Sequence, residues 1–227
     1  MIDLHTHTYL SDGVLGPAEH IRRAEASGYR VLGISDHVDL STLDRTIAAL
    51  LQAAREENEL GGGPVVAAGV ELTYVRPAHI GRAARRAREL GAHLVIVHGE
   101  TIVEPVPPGT NRAAIEADVD ILAHPGLLSE EDALLAAKRN VLLEISGSRG
   151  HGLANGHVAR MAERTGARLI FGSDCHAPGQ YYTRTDAERV CRAAGIEPDA
   201  ISGMFVRAER LARHKSVQAE MDQTPDW

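Results

Sequence analysis

The chain opens MIDLHTHTYLSDG, which sets His5 and His7 two residues apart with Asp12 five positions further on. On a β-strand, residues i and i+2 share a face, so both imidazoles point the same way. Two imidazoles on one face make a poor core, because every buried ring nitrogen needs a partner. They make a good start to a metal site. Comparable residues close the later apolar runs. "YRVLGIS" (29–35) leads into Asp36 and His37, "PVVAAGVE" (64–71) ends in Glu71, "HLVIVH" (93–98) in His98, and "VDILAH" (119–124) in His124. "VLLEIS" (141–146) contains Glu144, and "ARLIFGSD" (167–174) ends in Asp174, with Cys175 and His176 following. A single histidine at a strand end is more often structural than ligating. Agreement among all seven runs points to one shared polynuclear metal site, built where strands deliver their C-terminal ends.

The elements that must position these groups follow from the pattern. The seven runs are rich in Val, Ile and Leu without polar alternation, as buried parallel strands are. Amphipathic segments lie between them. "PAHIGRAARRAREL" (77–90) puts Ile80, Ala83, Ala84, Ala87 and Leu90 on one helical face, with Pro77 in the first turn and Gly91 as the stop. Segments 16–28 and 157–166 repeat the logic, and two more helices are expected near 185–194 and 198–212. Alternating βα units predict an α/β fold with a parallel sheet, closed as a barrel or open. One domain is expected over 1–213. The remainder from His214 to 227 has no clear core face and is expected to fray.

Composition narrows the function classes. The 227 residues carry a net charge of -7, which disfavours broad binding to nucleic acid or anionic membranes. Aromatic residues are 4% of the chain, too few for evident base-stacking platforms. Two cysteines, Cys175 and Cys191, fit a reduced cytoplasmic compartment. No leader peptide or membrane-length apolar stretch is visible in the sequence.

The motifs "HTHTYLSDG", "ISDH", "GVE", "VHGE", "AHPG" and "GSDCH" resemble, in order and spacing, those of the PHP (polymerase and histidinol phosphatase) family, over residues 1 to about 180. The resemblance implies a distorted (β/α)7 barrel, TIM-like, with three divalent metals at the C-terminal ends of the strands. By motif, it implies a first metal held by His5, His7, Glu71 and Asp174. Glu71 would bridge to a second metal completed by His98 and His124, and Asp12, His37 and His176 would bind the third. Nitrogen and oxygen donors without thiolate suit Zn, Mn or Fe. Such a cluster lowers the pKa of a bridging water and clamps phosphoryl oxygens during in-line attack.

Other residues have separate claims. Arg149, just after the sixth run, is placed to grip a terminal phosphate by paired hydrogen bonds, or else to be an exposed loop arginine. His151 nearby is a candidate proton donor to the leaving oxygen. Asp36 is expected to hydrogen-bond behind the ligands, and Glu144 to orient one or to close a buried network. Glu100 is expected to face either the site or solvent, and Cys175 to be a small buried hydrophobe. The Pro- and Gly-rich "GETIVEPVPPGTN" (99–111) is expected to form a stiff rim.

The expected activity is hydrolysis of a small phosphomonoester, such as histidinol phosphate or a related metabolite, by a metal-bound hydroxide. Glu71 and Asp174 would be essential to it. The chain is short beside the larger dedicated histidinol phosphatases. A nucleotide or short-oligonucleotide phosphoesterase is the alternative enzyme, and a non-catalytic metal-stabilised PHP domain the alternative from another class. Amidohydrolases also begin with H-x-H, but they commonly bridge two metals through a strand-four lysine, where this chain has His98. The expected partner is a small phosphorylated substrate, with no membrane, and with nucleic acid limited to short oligonucleotides. Oligomeric state is not legible.

Overall fold

The computed structural model describes residues 1–222, with side chains through Arg213. Seven parallel strands form the wall: β1 (Ile2–Asp3), β2 (Val31–Ile34), β4 (Val65–Leu72), β5 (Leu94–His98), β6 (Ile121–Ala123), β7 (Leu142–Ser146) and β8 (Leu169–Gly172). Their order in the sheet is β1-β2-β4-β5-β6-β7-β8, and an extra two-residue strand, β3 (His37–Val38), pairs with the end of β4. The wall nearly closes where β1 and β8 run out. There His7 N–H donates to the Cys175 carbonyl at 2.8 Å and Asp174 N–H to the His5 carbonyl at 3.0 Å. The last contacts of the barrel are thus made by the backbone of its ligand-type residues.

Each crossover carries a helix: α1 (Pro17–Ala26), α2 (Leu43–Leu60), α3 (Pro77–Glu89), α4 (Thr110–Glu116), α5 (Glu130–Arg139) and α6 (Asn155–Thr165). Two more, α7 (Arg184–Ala193) and α8 (Pro198–Asp222), follow β8. Local chemistry fixes their ends. The Ser129 hydroxyl accepts from Asp132 N–H at the start of α5, and Lys138 and Arg139 sit at its C-terminus, where the helix dipole favours cations. Val, Ile, Leu and Ala fill the barrel and its interface with the helices, Leu32, Ile34, Ile96 and Ile121 being essentially inaccessible. α8 packs across β1, β2, β4 and β8, so it backs the sheet on both sides of its closure.

The seven expected strands are all present, within a few residues of the expected limits. α2, α4 and α5 have no counterpart among the helices expected from sequence, although in α2 Leu43, Ile47, Leu50 and Ala54 occupy the buried face at helical spacing. α8 runs past position 214 to Asp222, and 223–227 lie outside the described residues, as do the side chains of 214–222. The expected frayed tail falls there.

Candidate metal centre

All nine ligand-type residues converge at the C-terminal mouth. Glu71, near the end of β4 and fully buried, stands in the middle. Its Oε1 is 3.4 Å from His5 Nε2 and 3.5 Å from His124 Nε2; its Oε2 is 2.6 Å from His37 Nδ1 and 3.7 Å from His7 Nε2. Asp174 Oδ1 lies 3.1 Å from His7 Nε2 and 3.6 Å from His176 Nδ1, while Oδ2 is 3.7 Å from His151 Nε2. Asp12, on the loop after β1, reaches His176 Nε2 at 3.1 Å and His37 Nε2 at 3.6 Å. Donor atoms within 4.8 Å of one another form overlapping groups: His5–His7–Glu71, His7–Asp12–His37–His176, His98–His124–His151 and His5–His124–Glu144.

These residues fit cations. Glu71 Oε1, His7 Nδ1, both ring nitrogens of His124 and His5 Nε2 are buried without a hydrogen bond, and Glu71 Oε2 and His7 Nε2 have only the imidazole–carboxylate contacts given above. So many orphaned buried polar atoms in one place are costly unless something binds them. His124 and Asp174 also hold φ values of 27° and 56°, in the left-handed region that side chains rarely adopt. Strain of this kind collects at functional sites.

The electrostatics agree. Burial would raise the Glu71 and Asp174 carboxyls, but adjacent imidazoles, His5 and His37 for Glu71 and His7 and His5 for Asp174, hold both well below the usual range. The hydrogen bond from His176 lowers Asp12 to about 2. Burial lowers His7 to about 3, so its ring is neutral, the form that ligates metals. His5, which burial alone would lower, is held well above its ordinary value by Glu144 and Glu71. Ionised carboxylates in a buried space demand positive charge, supplied by imidazolium or by metal.

Supporting contacts set the geometry. Glu144 Oε2 pairs with His5 Nδ1 at 2.5 Å. Gly172 leaves room for that carboxylate, since a Cβ there would stand 2.3 Å from Glu144 Oε2. The Thr73 hydroxyl lies 2.6 Å from His37 Nδ1. Asp36 acts through the loop rather than on His37 itself. It accepts from Thr8 N–H at 2.8 Å, the Thr8 hydroxyl at 2.7 Å and the Ser11 hydroxyl at 2.6 Å, fastening the turn that carries Asp12. Glu100, partly buried, turns away from the metal centre onto its own loop. Its Oε1 accepts from Gly109 N–H at 3.1 Å and Asn111 N–H at 2.9 Å, tying the ends of the Pro-rich loop. Cys175 is buried, as expected.

Two placements go beyond the sequence expectation. His151, considered there only as a proton donor, shares a donor group with His98 and His124, and burial together with His124 lowers it to about 4. Glu104, unnoticed in the sequence, reaches in from the loop after β5, with Oε2 3.2 Å from His98 Nε2 and Oε1 3.6 Å from His151 Nε2. An acid in an irregular loop has no periodicity to mark it. The proximity of this loop to the β5 and β7 ends was the one available signal.

Two cavities meet at Asp174. One, of about 690 Å³, is lined by Asp12, His37, His98, Glu104, His151 and His176. The other, of about 660 Å³, is lined by Ser148, Arg149, Gln180, Tyr181 and Tyr182. Arg149 is exposed there, beside the centre but in no ion pair among the described residues.

The PHP domain family model matches residues 3–162. An uncharacterized protein of Methanocaldococcus jannaschii is 42% identical over 195 residues, covering 86% of this chain and 89% of that protein. Among solved structures, a chain in the cryo-EM structure of an archaeal ribonuclease P with mature tRNA superposes with a TM-score of 0.69 at 16% identity, covering 94% of this chain and 91% of the other. The histidinol phosphate phosphatase of Lactococcus lactis, complexed with zinc, L-histidinol and phosphate, gives a TM-score of 0.57 at 14% identity, covering 86% and 94%. With the family model spanning most of its length and a full-length relative beside it, the chain belongs to the PHP domain family.

Proposed function

We propose that this chain is a metal-dependent phosphoesterase that hydrolyses a small phosphomonoester at a centre of three divalent ions, Zn, Mn or Fe. The observation that carries this is Glu71, a fully buried carboxylate that has no cation-bearing Lys or Arg beside it among the described residues and whose two oxygens are enclosed by the rings of His5, His7, His37 and His124. His5, His7, Glu71 and Asp174 would hold one ion. Glu71, His98 and His124 would hold the second, with His151 in reach, and Asp12, His37 and His176 the third. Bound there, divalent ions supply an acidified water and a clamp for phosphoryl oxygens.

The protein's own part is to hold neutral imidazoles and ionised carboxylates around the reacting phosphorus. It also offers Arg149, from the adjoining cavity, to the anionic end of the substrate. No helix among the described residues is long and apolar enough to cross a membrane.

A second reading, cleavage of a nucleotide or short oligonucleotide, is favoured by exposed rings at the mouth. Tyr74 is 50% exposed and lies over His98, with centroids 5.8 Å apart and planes 24° apart. A base would stack on such a ring.

The test is a screen of phosphorylated metabolites, mononucleotides and 5′-phosphorylated oligonucleotides with Mn, Zn or Fe, alongside elemental analysis of protein purified without chelator. About three equivalents of metal and phosphate release from a monoester are expected. No more than about one equivalent after metal is supplied, or no release from any phosphoester, overturns the proposal.

A further inference from the structure

Glu104 has no place in the ligand set that the family motifs imply, yet it faces that set directly. Its two oxygens address two different imidazoles, His98 Nε2 at 3.2 Å and His151 Nε2 at 3.6 Å. The Tyr74 hydroxyl donates to Oε2 at 2.9 Å. His151 is turned toward it by the Thr101 hydroxyl, 2.7 Å from Nδ1 on the far side of the ring. Glu104 therefore stands on the open side of the His98–His124–His151 group, in the cavity through which a substrate must arrive.

The loop that carries it is anchored at its base and half-exposed at its tip. Glu100 binds Gly109 N–H and Asn111 N–H, and Asn111 Oδ1 in turn accepts from Glu100 N–H at 2.9 Å. Pro105, Pro107 and Pro108 stiffen the return limb. At the tip, Ile102 and Val103 are 50% and 46% exposed, so the apolar anchorage beside Glu104 is partial and its polar contacts supply much of what holds it.

We propose that Glu104 is an exchangeable latch: its carboxylate occupies the phosphoryl oxygens' place over the His98–His124–His151 position, and the substrate's phosphate displaces it. An anion with two oxygens is the right stand-in for another, and Tyr74 keeps it in register until exchange. The inference rests on the metal-centre proposal above for the position covered and for what displaces the carboxylate, not on any hydrolysis. It also makes the loop a regulator of anion entry rather than a passive rim.

The test uses inorganic phosphate and full-length, manganese-loaded protein, followed by calorimetry without any turnover. If the latch is closed in most molecules, apparent phosphate affinity is reduced by the open fraction, so Glu104→Gln is expected to bind phosphate about five- to tenfold more tightly. Tyr74→Phe, which removes only the restraining hydroxyl, is expected to shift affinity the same way by less. Simple repulsion by a rim charge would fade in about 1 M salt, where the screening length is about 3 Å. A latch contact would keep its effect there. Phosphate affinity in Glu104→Gln that is unchanged or weaker, or a gain that vanishes at high salt, overturns the proposal. The measurement stands even for a protein that hydrolyses no phosphoester, so failure of the latch and failure of the proposed activity are distinguishable.

Discussion

Glu144 Oε2 lies 2.5 Å from His5 Nδ1, and both side chains are buried. The pairing fixes the ring so that His5 Nε2 faces Glu71 and Asp174, the arrangement by which a carboxylate orients a metal-ligating histidine. Glu144→Gln keeps the size and removes the charge. Metal affinity is expected to fall about 10- to 100-fold, with activity recovering as metal is added in excess. Chelator competition and metal-dependent rates check this; an unchanged affinity would leave Glu144 a mere filler of the barrel.

Arg149 is exposed, lines the same cavity as Asp174 and makes no ion pair among the described residues. Arg149→Ala should therefore leave metal content intact while removing a charged contact to phosphate. A cost of about 1.5–3 kcal/mol in transition-state binding is expected, or roughly 10- to 150-fold in kcat/KM. Equal turnover of the best substrate by variant and wild type would make it an ordinary surface arginine.

His151 shares a donor group with His98 and His124, which separates two roles for it. As a ligand, its loss weakens one metal position; as a proton donor, it changes the alkaline limb of the rate profile and spares the metal. His151→Gln is expected to lower metal content by about one equivalent under limiting supply. Retained metal with a shifted pH profile would instead restore the proton-donor role.

Away from the centre, His20 on α1 is buried between the Thr6 hydroxyl at 2.8 Å and the Tyr181 hydroxyl at 2.7 Å, and burial lowers it to about 4. Between that value and its ordinary one, the unfolded chain binds the proton and the folded chain does not. The contribution is therefore fully present above about pH 6.5 and is lost as pH falls toward 4, by on the order of 3 kcal/mol. Denaturant unfolding of wild type and His20→Asn should show a gap near neutrality that narrows on acidification. A gap independent of pH would mean that His20 takes up its proton at the same pH in the folded and the unfolded chain.

Much of this arrangement is legible in the sequence because strand period and strand ends are local signals. His5, Glu71, His98, His124 and Asp174 close short, largely apolar runs and His7 follows the first of them, and the parallel barrel brings all such ends to one mouth. The groups that sequence placed less well depend on loops. Asp36 serves Thr8 and Ser11 across the barrel mouth, Glu100 turns back on its own loop, and Glu104 reaches His98 and His151 from the loop tip. None of these directions follows from spacing along the chain. α2 was obscured differently, since its buried face includes Thr46 and its C-terminal half is largely polar.

Glu71 and Glu100 provide the sharpest contrast, because each follows a buried strand and only one enters the centre. Glu71 is wholly buried among four imidazoles, and those rings hold its carboxyl well below the usual range against the burial that would raise it. Glu100 spends its Oε1 on two backbone N–H groups, Gly109 and Asn111. Glu71→Gln is nearly isosteric but uncharged, with one donor oxygen in place of two. Repulsion between neighbouring cations would then go unopposed, and metals should bind more weakly together. Loss of about two equivalents of metal and of measurable turnover is expected. In Glu100→Gln the amide oxygen still accepts both backbone bonds, so metal content and turnover should stay close to wild type. Elemental analysis and initial rates of the two variants, measured side by side, decide the matter. Full activity in Glu71→Gln would remove the bridge from the centre, and a matching loss in Glu100→Gln would show that closure of the loop after β5, rather than ligand charge, governs metal retention.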